Sequence, residues 1–172
     1  MPNFVAIDFE TADNGADSAC AVALVVVKGG KVQGTISRLI RPPRRRVMFT
    51  HIHGITWDDV EGEPDFAGVW PDLVDALKGA DFLAAHNAPF DRRVLDGCCT
   101  AHGLPMPQKQ FLCTVQLARE VWNIRPTKLP DVCGFLGLQL NHHDALSDSQ
   151  ACADIVLAAV KQGYDLKRRV RV

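Results

Sequence analysis

The amino-terminal segment FVAIDFE, residues 4–10, places the tightest limit on how this chain can fold. On a β-strand, residues two apart share a face. One face of this strand is wholly apolar, while the other begins with Phe4 and Ala6 and ends with Asp8 and Glu10. Because both faces begin apolar, we predict a central strand that is covered on both sides. Two carboxylates at its carboxyl end are costly to desolvate unless something compensates for their charge.

The rest of the sequence predicts an α/β fold in which helices flank a mixed sheet. A valine-rich run, Cys20–Lys28, is followed by Gly29-Gly30, which is typical of a hairpin turn, and by a third strand, Lys31–Ile40. Hairpin strands are antiparallel, whereas the later alternation of helix and strand favours parallel pairing. Residues 41–64 are polar and contain prolines, which predicts a long functional loop. The further predicted elements are strands 82–85 and 110–113 and helices 65–77, 89–102, 114–122, 128–136 and 147–162.

The composition fits one globular domain spanning residues 1–172. The chain is 47% hydrophobic and 23% charged, with a formal net charge of −1, so its global charge does not indicate a nucleic-acid-binding protein. The longest apolar run, Ala19–Val27, is too short to cross a bilayer, and the amino terminus does not resemble a secretory signal. We therefore expect a cytoplasmic location and no membrane partner. The 6 cysteines lack CxxC spacing, which favours reduced, mostly buried thiols over a zinc site.

Two predicted helices each carry an aspartate in the first turn of an apolar stripe. Asp91 begins the stripe that continues with Val94 and Cys98, and Asp148 begins the one that continues with Cys152. An aspartate near a helix amino terminus is also favoured by the helix dipole alone. Two such aspartates, together with the carboxylate pair on the first strand, favour a cluster of four inward-facing carboxylates.

Four carboxylates at one site repel one another, and some would protonate if nothing compensated. Mg²⁺ and Mn²⁺ prefer oxygen ligands, and two such ions roughly 3.5–4 Å apart stabilise the attacking and leaving oxygens of a phosphoryl displacement. The sequence therefore predicts two Mg²⁺ or Mn²⁺ ions and a phosphodiester substrate. The predicted metal ligands are Asp8, Glu10, Asp91 and Asp148.

A histidine pair precedes the last predicted helix. His143 lies five residues before Asp148, beside the predicted metal cluster, and could take a proton from the attacking water. The alternative for His143 is an exposed loop histidine, which is the role we expect for its neighbour His142.

Three motifs, in this order, resemble those of the DEDDh 3′–5′ exonucleases. They are DFET at residues 8–11, HNAPFD at 86–91 and HDALSD at 143–148. The resemblance covers residues 4 to about 160, nearly the whole chain. It implies an RNase H-like fold with a mixed five-stranded sheet, and hydrolysis from the 3′ end of a nucleic acid that releases nucleoside 5′-monophosphates. It extends to the proofreading subunits of bacterial replicative polymerases and to similar stand-alone exonucleases.

The resemblance also implies a role for each catalytic residue. Asp8 would bridge both metal ions. Glu10 and Asp148 would complete the site of the metal that activates water. Asp91 would serve the second metal, in part through water, and His143 would be the general base.

The segment His51–Thr56 also resembles the family, in which a His-Gly-Ile element lies against the terminal nucleotide. It follows a cluster of five arginines within residues 38–46, which could hold backbone phosphates. The alternative is a glycine turn with packed isoleucines. A second basic cluster within residues 167–171 is expected to be a solvated tail. The substrate contacts implied by the resemblance are Thr11, Ile52, His53, Gly54, Ile55, Asn87 and Phe90.

The motifs leave the substrate and the partners open. A single-stranded or frayed DNA 3′ end is favoured, because the motifs resemble the polymerase-associated branch, and RNA trimming is the alternative. A catalytically silent nucleic-acid-binding module is a third reading, but all five catalytic residues are present. A DNA polymerase is a possible partner, although residues 163–172 are too short and basic to indicate a polymerase-binding tail, and a dimer is possible. Residues 12–15 depart from the family pattern, which changes the loop near the substrate but no predicted metal ligand.

Overall fold

The computed structural model describes residues 2–170, which form one mixed β-sheet with helices on both faces. The strands are β1 (Phe4–Thr11), β2 (Ala19–Lys28), β3 (Lys31–Leu39), β4 (Phe82–Ala85) and β5 (Gln110–Cys113). Their order in the 5-stranded sheet is β3-β2-β1-β4-β5. The β1–β2 and β2–β3 pairs are antiparallel, and the β1–β4 and β4–β5 pairs are parallel. This architecture confirms the predicted α/β fold with a mixed sheet and β1 at its centre.

The helices follow the predicted bounds closely, except in the long segment before the first predicted helix. They are α1 (Thr50–His53), α2 (Trp57–Val60), α3 (Phe66–Leu77), α4 (Ala88–Ala101), α5 (Thr114–Trp122), α6 (Leu129–Leu136) and α7 (Ala145–Lys161), with a 3₁₀ turn at Leu166–Arg168. Residues 41–64 were expected to be a loop, and α1 and α2 lie within them. The start of α2 is fixed because Thr56 N and Oγ1 donate to Asp59 Oδ2 at 2.7 and 2.6 Å. Within the described residues, no helix combines the length and apolar character needed to span a membrane.

The two faces of β1 enter two different core layers. Phe4 and Ala6 pack with residues of α5, α6 and α7, and the Phe4 ring stacks on Phe82 with centroids 5.2 Å apart. Val5 and Ile7 pack with residues of α3 and α4 on the opposite face. Alternation along β1 therefore directs its two carboxylates towards the layer that contains α7.

The basic carboxyl-terminal segment is packed against the domain, which corrects the expectation of a solvated tail. Leu166 and Val170 are buried. Arg169 Nε donates to Glu120 Oε2 at 2.7 Å, and Arg169 Nη1 donates to Gln116 Oε1 at 3.0 Å. Two apolar anchors and an ion pair are enough to hold a short segment that sequence composition alone presents as polar. Arg171 lies outside the described residues.

Candidate active site

Three carboxylates converge where β1 ends and α7 begins. Asp8 and Glu10 lie near the carboxyl end of β1, and Asp148 lies in the first turn of α7. One carboxylate oxygen of each lies within 4.8 Å of those of the other two. The amino terminus of α7 is capped by Asp144, which accepts a hydrogen bond from Ser147 N at 2.8 Å. Helix capping therefore does not account for Asp148, whose side chain faces the strand.

The fourth carboxylate, Asp91, is buried beside the other three. β4 pairs with β1 only as far as Ala6, so the edge of β1 beyond that residue is open to another element. The first turn of α4 fills this space, and Asp91 Oδ1 accepts a hydrogen bond from Phe9 N at 3.1 Å. Asp91 is thereby fixed close enough to Asp8 to raise the pKa of that carboxyl group.

Desolvation and mutual repulsion dominate the electrostatics of these four groups. Burial raises the pKa of Glu10 to about 8 and that of Asp91 to about 8. Burial, reinforced by the three other carboxylates, raises the pKa of Asp8 well above its ordinary value. Burial also raises the pKa of Asp148, against the opposing effect of two nearby histidines. Within residues 2–170, no lysine or arginine forms an ion pair with any of the four.

This donor set fits a hard divalent cation. Asp148 Oδ1 is buried and has no hydrogen-bond partner among the described residues. A bound cation would give this oxygen a partner and would relieve the repulsion that raises the carboxyl pKa values. Carboxylate oxygens are the ligands that Mg²⁺ and Mn²⁺ prefer in proteins. The arrangement can therefore hold the ions that the sequence predicts.

Both histidines before α7 contact Asp148. His142 Nδ1 lies 3.0 Å from Asp148 Oδ2, and the His143 backbone N donates to the same oxygen at 3.2 Å. The two rings stack with centroids 3.8 Å apart, and His143 has a left-handed backbone with φ 69°. His142 is an exposed loop histidine, as expected, but its ring also contacts a predicted metal ligand, which was not expected. The spacing that directs attention to His143 gives no signal for its neighbour.

A cavity of about 440 Å³, here called the carboxylate cavity, opens above these groups. Asp8, Glu10, Asp148, Asn87 and both histidines line it. The lining also includes residues to which sequence analysis assigned no role. These are His86, Val115, Thr127, Lys128 and Leu129. His86 directly precedes Asn87 in the second motif and could have been identified from that position, whereas the segment 127–129 belongs to no motif.

His86 fixes this part of the cavity lining through contacts of both its ring nitrogens. Its Nδ1 lies 2.8 Å from Thr114 Oγ1, and its Nε2 lies 3.1 Å from the carbonyl oxygen of Thr127. Because a carbonyl oxygen can only accept, the proton resides on Nε2 and Nδ1 accepts from the threonine hydroxyl. Burial lowers the pKa of His86 to about 4, so the ring is neutral at ordinary pH. His86 therefore joins the start of α5 to the segment that precedes α6.

A second, mostly apolar cavity of about 230 Å³ lies on the other side of Glu10. Four of the predicted substrate contacts line this apolar cavity, together with Phe9, Glu10 and Phe49; they are Thr11, Ile52, His53 and Phe90. Gly54 and Ile55 do not line it. Ile55 packs instead against the buried cluster of Ala12, Cys20 and Val60. Its backbone N donates to His53 Nδ1 at 3.1 Å, and His53 Nε2 lies 3.1 Å from the Thr11 carbonyl oxygen.

Comparison with known proteins agrees with this geometry. The sequence matches the exonuclease family RNase_T over residues 5–156. The chain belongs to the DEDDh exonuclease family. It is 31% identical over 163 residues to the PolC-type DNA polymerase III of Thermotoga maritima, a match that covers 92% of this chain and 12% of that protein. It is also 31% identical over 144 residues to exodeoxyribonuclease 10 of Escherichia coli K12, a match that covers 79% of this chain and 59% of that protein.

Solved structures of other exonucleases share the RNase H-like fold of this DEDDh domain. Exonuclease X in complex with 5′ overhanging duplex DNA superposes with a TM-score of 0.75 at 26% identity, over 97% of each chain. The nuclease domain of 3′hExo, a DEDDh family member bound to rAMP, superposes with a TM-score of 0.83 at 20% identity, over 99% of this chain and 96% of that chain. The second likeness concerns the fold alone.

In this DEDDh exonuclease domain, the arginine cluster is partly engaged by its own acidic residues. Arg44 Nε lies 2.6 Å from Asp13 Oδ2, and Arg44 Nη2 lies 2.6 Å from Asp17 Oδ1. We call these three residues the Arg44 clasp. Arg38 Nη2 likewise lies 2.8 Å from Asp72 Oδ2. The expectation that this whole cluster is available for phosphates is therefore wrong for Arg38 and Arg44, which the folded chain pairs with carboxylates.

Proposed function

We propose that this chain is a metal-dependent 3′–5′ exonuclease that removes nucleotides one at a time and releases nucleoside 5′-monophosphates. The observation that carries the proposal is the convergence of Asp8, Glu10 and Asp148 within 4.8 Å, with Asp91 buried beside them. Four such groups without a resident cation destabilise a fold at neutral pH, because their ionised forms are poorly solvated and repel one another. Two Mg²⁺ or Mn²⁺ ions would remove this cost.

We propose that each of the four carboxylates is a ligand of at least one of the two ions. Asp8, Glu10 and Asp148 would bind one ion, and Asp8 with Asp91 would serve the other. Asp91 Oδ1 already accepts the Phe9 N–H, which leaves Oδ2 for the ion or its water. When bound, such ions stabilise the charge on the attacking and leaving oxygens of a phosphodiester.

His143 is the proposed general base. Its ring lines the carboxylate cavity and is exposed to solvent, so it can take a proton from the attacking water and later release it. The bond from its backbone N to Asp148 Oδ2 ties the histidine to a proposed metal ligand. His142, which contacts the same oxygen, would help to hold this loop against α7.

The apolar cavity is the proposed site of the 3′-terminal nucleoside. Both cavities share Phe9 and Glu10, so a phosphodiester bound at the carboxylates would have one nucleoside on each side. Ile52 is 43% exposed and offers an apolar contact, and the Phe90 ring offers a surface on which a base can stack. Attack at this phosphodiester would release the nucleoside in the apolar cavity as a 5′-monophosphate.

DNA is the proposed substrate, and RNA is the alternative that the test must separate. The proposal draws support from exodeoxyribonuclease 10, a relative whose name specifies DNA. Among the structural neighbours, one is a complex with 5′ overhanging duplex DNA and another with a histone mRNA stem-loop. The PolC-type relatives suggest a DNA polymerase as a partner of this domain.

Product analysis on matched 5′-labelled DNA and RNA oligonucleotides, with Mg²⁺, Mn²⁺ or EDTA, tests this function. We expect a ladder of products that shortens from the 3′ end with either metal and none with EDTA. The faster substrate identifies the preferred sugar. Internal cleavage products would contradict the exonuclease assignment, and undiminished cleavage in EDTA would contradict the metal requirement.

A further inference from the structure

Lys128 is an exposed cation on the wall of the carboxylate cavity. It lines that cavity together with Asp8, Glu10 and Asp148, which belong to β1 and α7, whereas Lys128 directly precedes α6. Lys128 itself is exposed, whereas its neighbours Thr127 and Leu129 are buried. The chain therefore buries the residues on both sides of Lys128 and leaves Lys128 exposed at the cavity.

The backbone around Lys128 is fixed by several hydrogen bonds. The Thr127 carbonyl oxygen lies 3.1 Å from His86 Nε2, and Thr127 Oγ1 accepts from Arg119 Nε at 2.9 Å. The Lys128 backbone N donates to Asp131 Oδ2 at 2.9 Å, which starts α6. A lysine on a mobile loop reaches many positions, but a lysine with a fixed backbone samples a small region. Lys128 lines the carboxylate cavity, so that region borders it.

Lys128 does not neutralise the catalytic carboxylates. Within the described residues it forms no ion pair, whereas Arg38, Arg44 and Arg169 each pair with an acidic partner. The same cavity of about 440 Å³ is thus lined by an exposed lysine and by carboxylates with which that lysine forms no ion pair.

We propose that Lys128 binds the first intact phosphate upstream of the scissile one and thereby positions the strand. The inference rests on the proposed function, in which the terminal nucleoside occupies the apolar cavity and the scissile phosphate lies at the carboxylates. The penultimate nucleotide then enters the carboxylate cavity, and its 5′ phosphate comes to the wall that carries Lys128. An ammonium group on a flexible stem suits a phosphate oxygen whose position varies slightly from one cycle to the next.

Binding measurements with matched variants test this role. In an Asp8→Ala background, which prevents cleavage, Lys128→Gln is compared with Lys128→Arg and with Lys31→Gln. Lys31 is also exposed, but it begins β3 next to the Gly29-Gly30 turn, at the end of the sheet away from Asp8 and Glu10. With 5′-labelled oligodeoxythymidine, Lys128→Gln should weaken binding roughly fivefold. The slope of log K against log salt should fall by about 0.7, the value for one phosphate on a single strand. Lys128→Arg should restore most of the affinity, and Lys31→Gln should change nothing.

A neutral methylphosphonate identifies the phosphate. At the first linkage upstream of the scissile one, it should weaken binding to the Asp8→Ala parent but have no further effect with Lys128→Gln. At more distant linkages it should affect both proteins equally. An unchanged salt slope for Lys128→Gln, or a full methylphosphonate penalty in that variant, would overturn the inference. If unmodified protein produces no 3′-shortening ladder, the proposed function itself fails; a normal ladder with an unchanged slope refutes only the role of Lys128.

Discussion

Two groups of carboxylates only a few residues apart in sequence have opposite electrostatic character. In the Arg44 clasp, hydrogen bonds from Arg44 lower the pKa of Asp13 and of Asp17. At the end of β1, burial and nearby acidic groups raise the pKa of Asp8 and bring that of Glu10 to about 8. The side chains have the same chemistry, so their environment makes the difference. Arg44 provides a cation for the first group, whereas no lysine or arginine within residues 2–170 forms an ion pair with the second.

The contrast separates a structural use of acidic residues from the catalytic use that we propose for the β1 carboxylates. The clasp lies at the surface and joins the loop after β1 to the segment before α1. This loop also packs closely on α4, where a Cβ added to Gly97 would lie 2.5 Å from the Ala16 Cβ. The β1 carboxylates are desolvated and uncompensated, which costs stability unless a cation arrives from solution.

Removing one carboxylate from each group should give the largest difference in exonuclease activity between the two groups. Asp8→Ala should lower exonuclease turnover with Mg²⁺ by about 10³-fold or more, because it removes the ligand proposed to touch both ions. Asp13→Ala, the matched control in the clasp, should keep turnover within a few-fold of the unchanged protein. Single-turnover rates on a 5′-labelled oligonucleotide measure both, and circular dichroism confirms that each variant is folded. Comparable losses in the two variants would show that the clasp shares the catalytic function.

The histidine pair allows a second comparison beside the same carboxylates. His143→Ala should lower the rate by about 10²–10⁴-fold, the usual range for a general base. His142→Ala should have a smaller effect, because the His143 backbone N would still hold Asp148 Oδ2. The pH–rate profile should lose its acidic limb only in His143→Ala. An equal loss of rate in the two variants, or a retained limb in His143→Ala, would move the proton transfer to another group.

The sequence alone predicts correctly those parts of the structure that depend on local periodicity. Alternation along β1 predicts a strand covered on both sides, and the stripes that contain Asp91 and Asp148 predict that both carboxylates face inward. The Gly29-Gly30 turn is confirmed, with φ of 58° and 78°, values that suit a tight hairpin between antiparallel strands. In each of these cases, residues close in sequence determine the structure.

The remaining features depend on contacts between distant segments. The basic neighbours of Arg44 in the sequence suggest that it binds phosphate. Only the folded structure shows that Asp13 and Asp17 lie beside it. Lys128 carries no motif, and its place on the carboxylate cavity follows from the bond between His86 and Thr127. Sequence spacing along one strand or helix contains no information about such pairs, because each partner belongs to a different element.

The thermal stability of the protein with and without metal should reveal the uncompensated charge of the carboxylates around Asp8. Glu10 and Asp91 have pKa values of about 8 in the metal-free fold, above their ordinary values, so the folded state binds more protons than the unfolded state between about pH 5 and 8. The free energy of unfolding should therefore fall as pH rises through this range in EDTA. At about pH 8, Mg²⁺ at roughly 100 times its Kd should restore about 2.7 kcal/mol, or some 5–10 °C in Tm.

Calorimetry on unchanged protein and on Asp8→Asn measures this effect. The variant should be less sensitive to pH in EDTA and should gain little from Mg²⁺, because one of the repelling ligands has been removed. A Tm that rises in EDTA between about pH 5 and 8 would show that the β1 carboxylates are already compensated.

The clasp should give the smallest effect and the opposite dependence on pH. Arg44→Gln should lower the free energy of unfolding by about 1 kcal/mol at neutral pH, since the ion pair lies at the surface and is screened by solvent. The lowered pKa values of Asp13 and Asp17 mean that this stabilisation is present above their ordinary pKa and is lost as pH falls through their folded values.

Urea titrations of Arg44→Gln against Arg46→Gln, at neutral and strongly acidic pH, isolate the clasp. Arg46 belongs to the same basic cluster and has no ion pair among the described residues, so its variant should match the unchanged protein. The difference between the two variants should vanish in acid and shrink in high salt. A difference that persists in acid would mean that Arg44 stabilises the loop through packing of its stem and not through its charge.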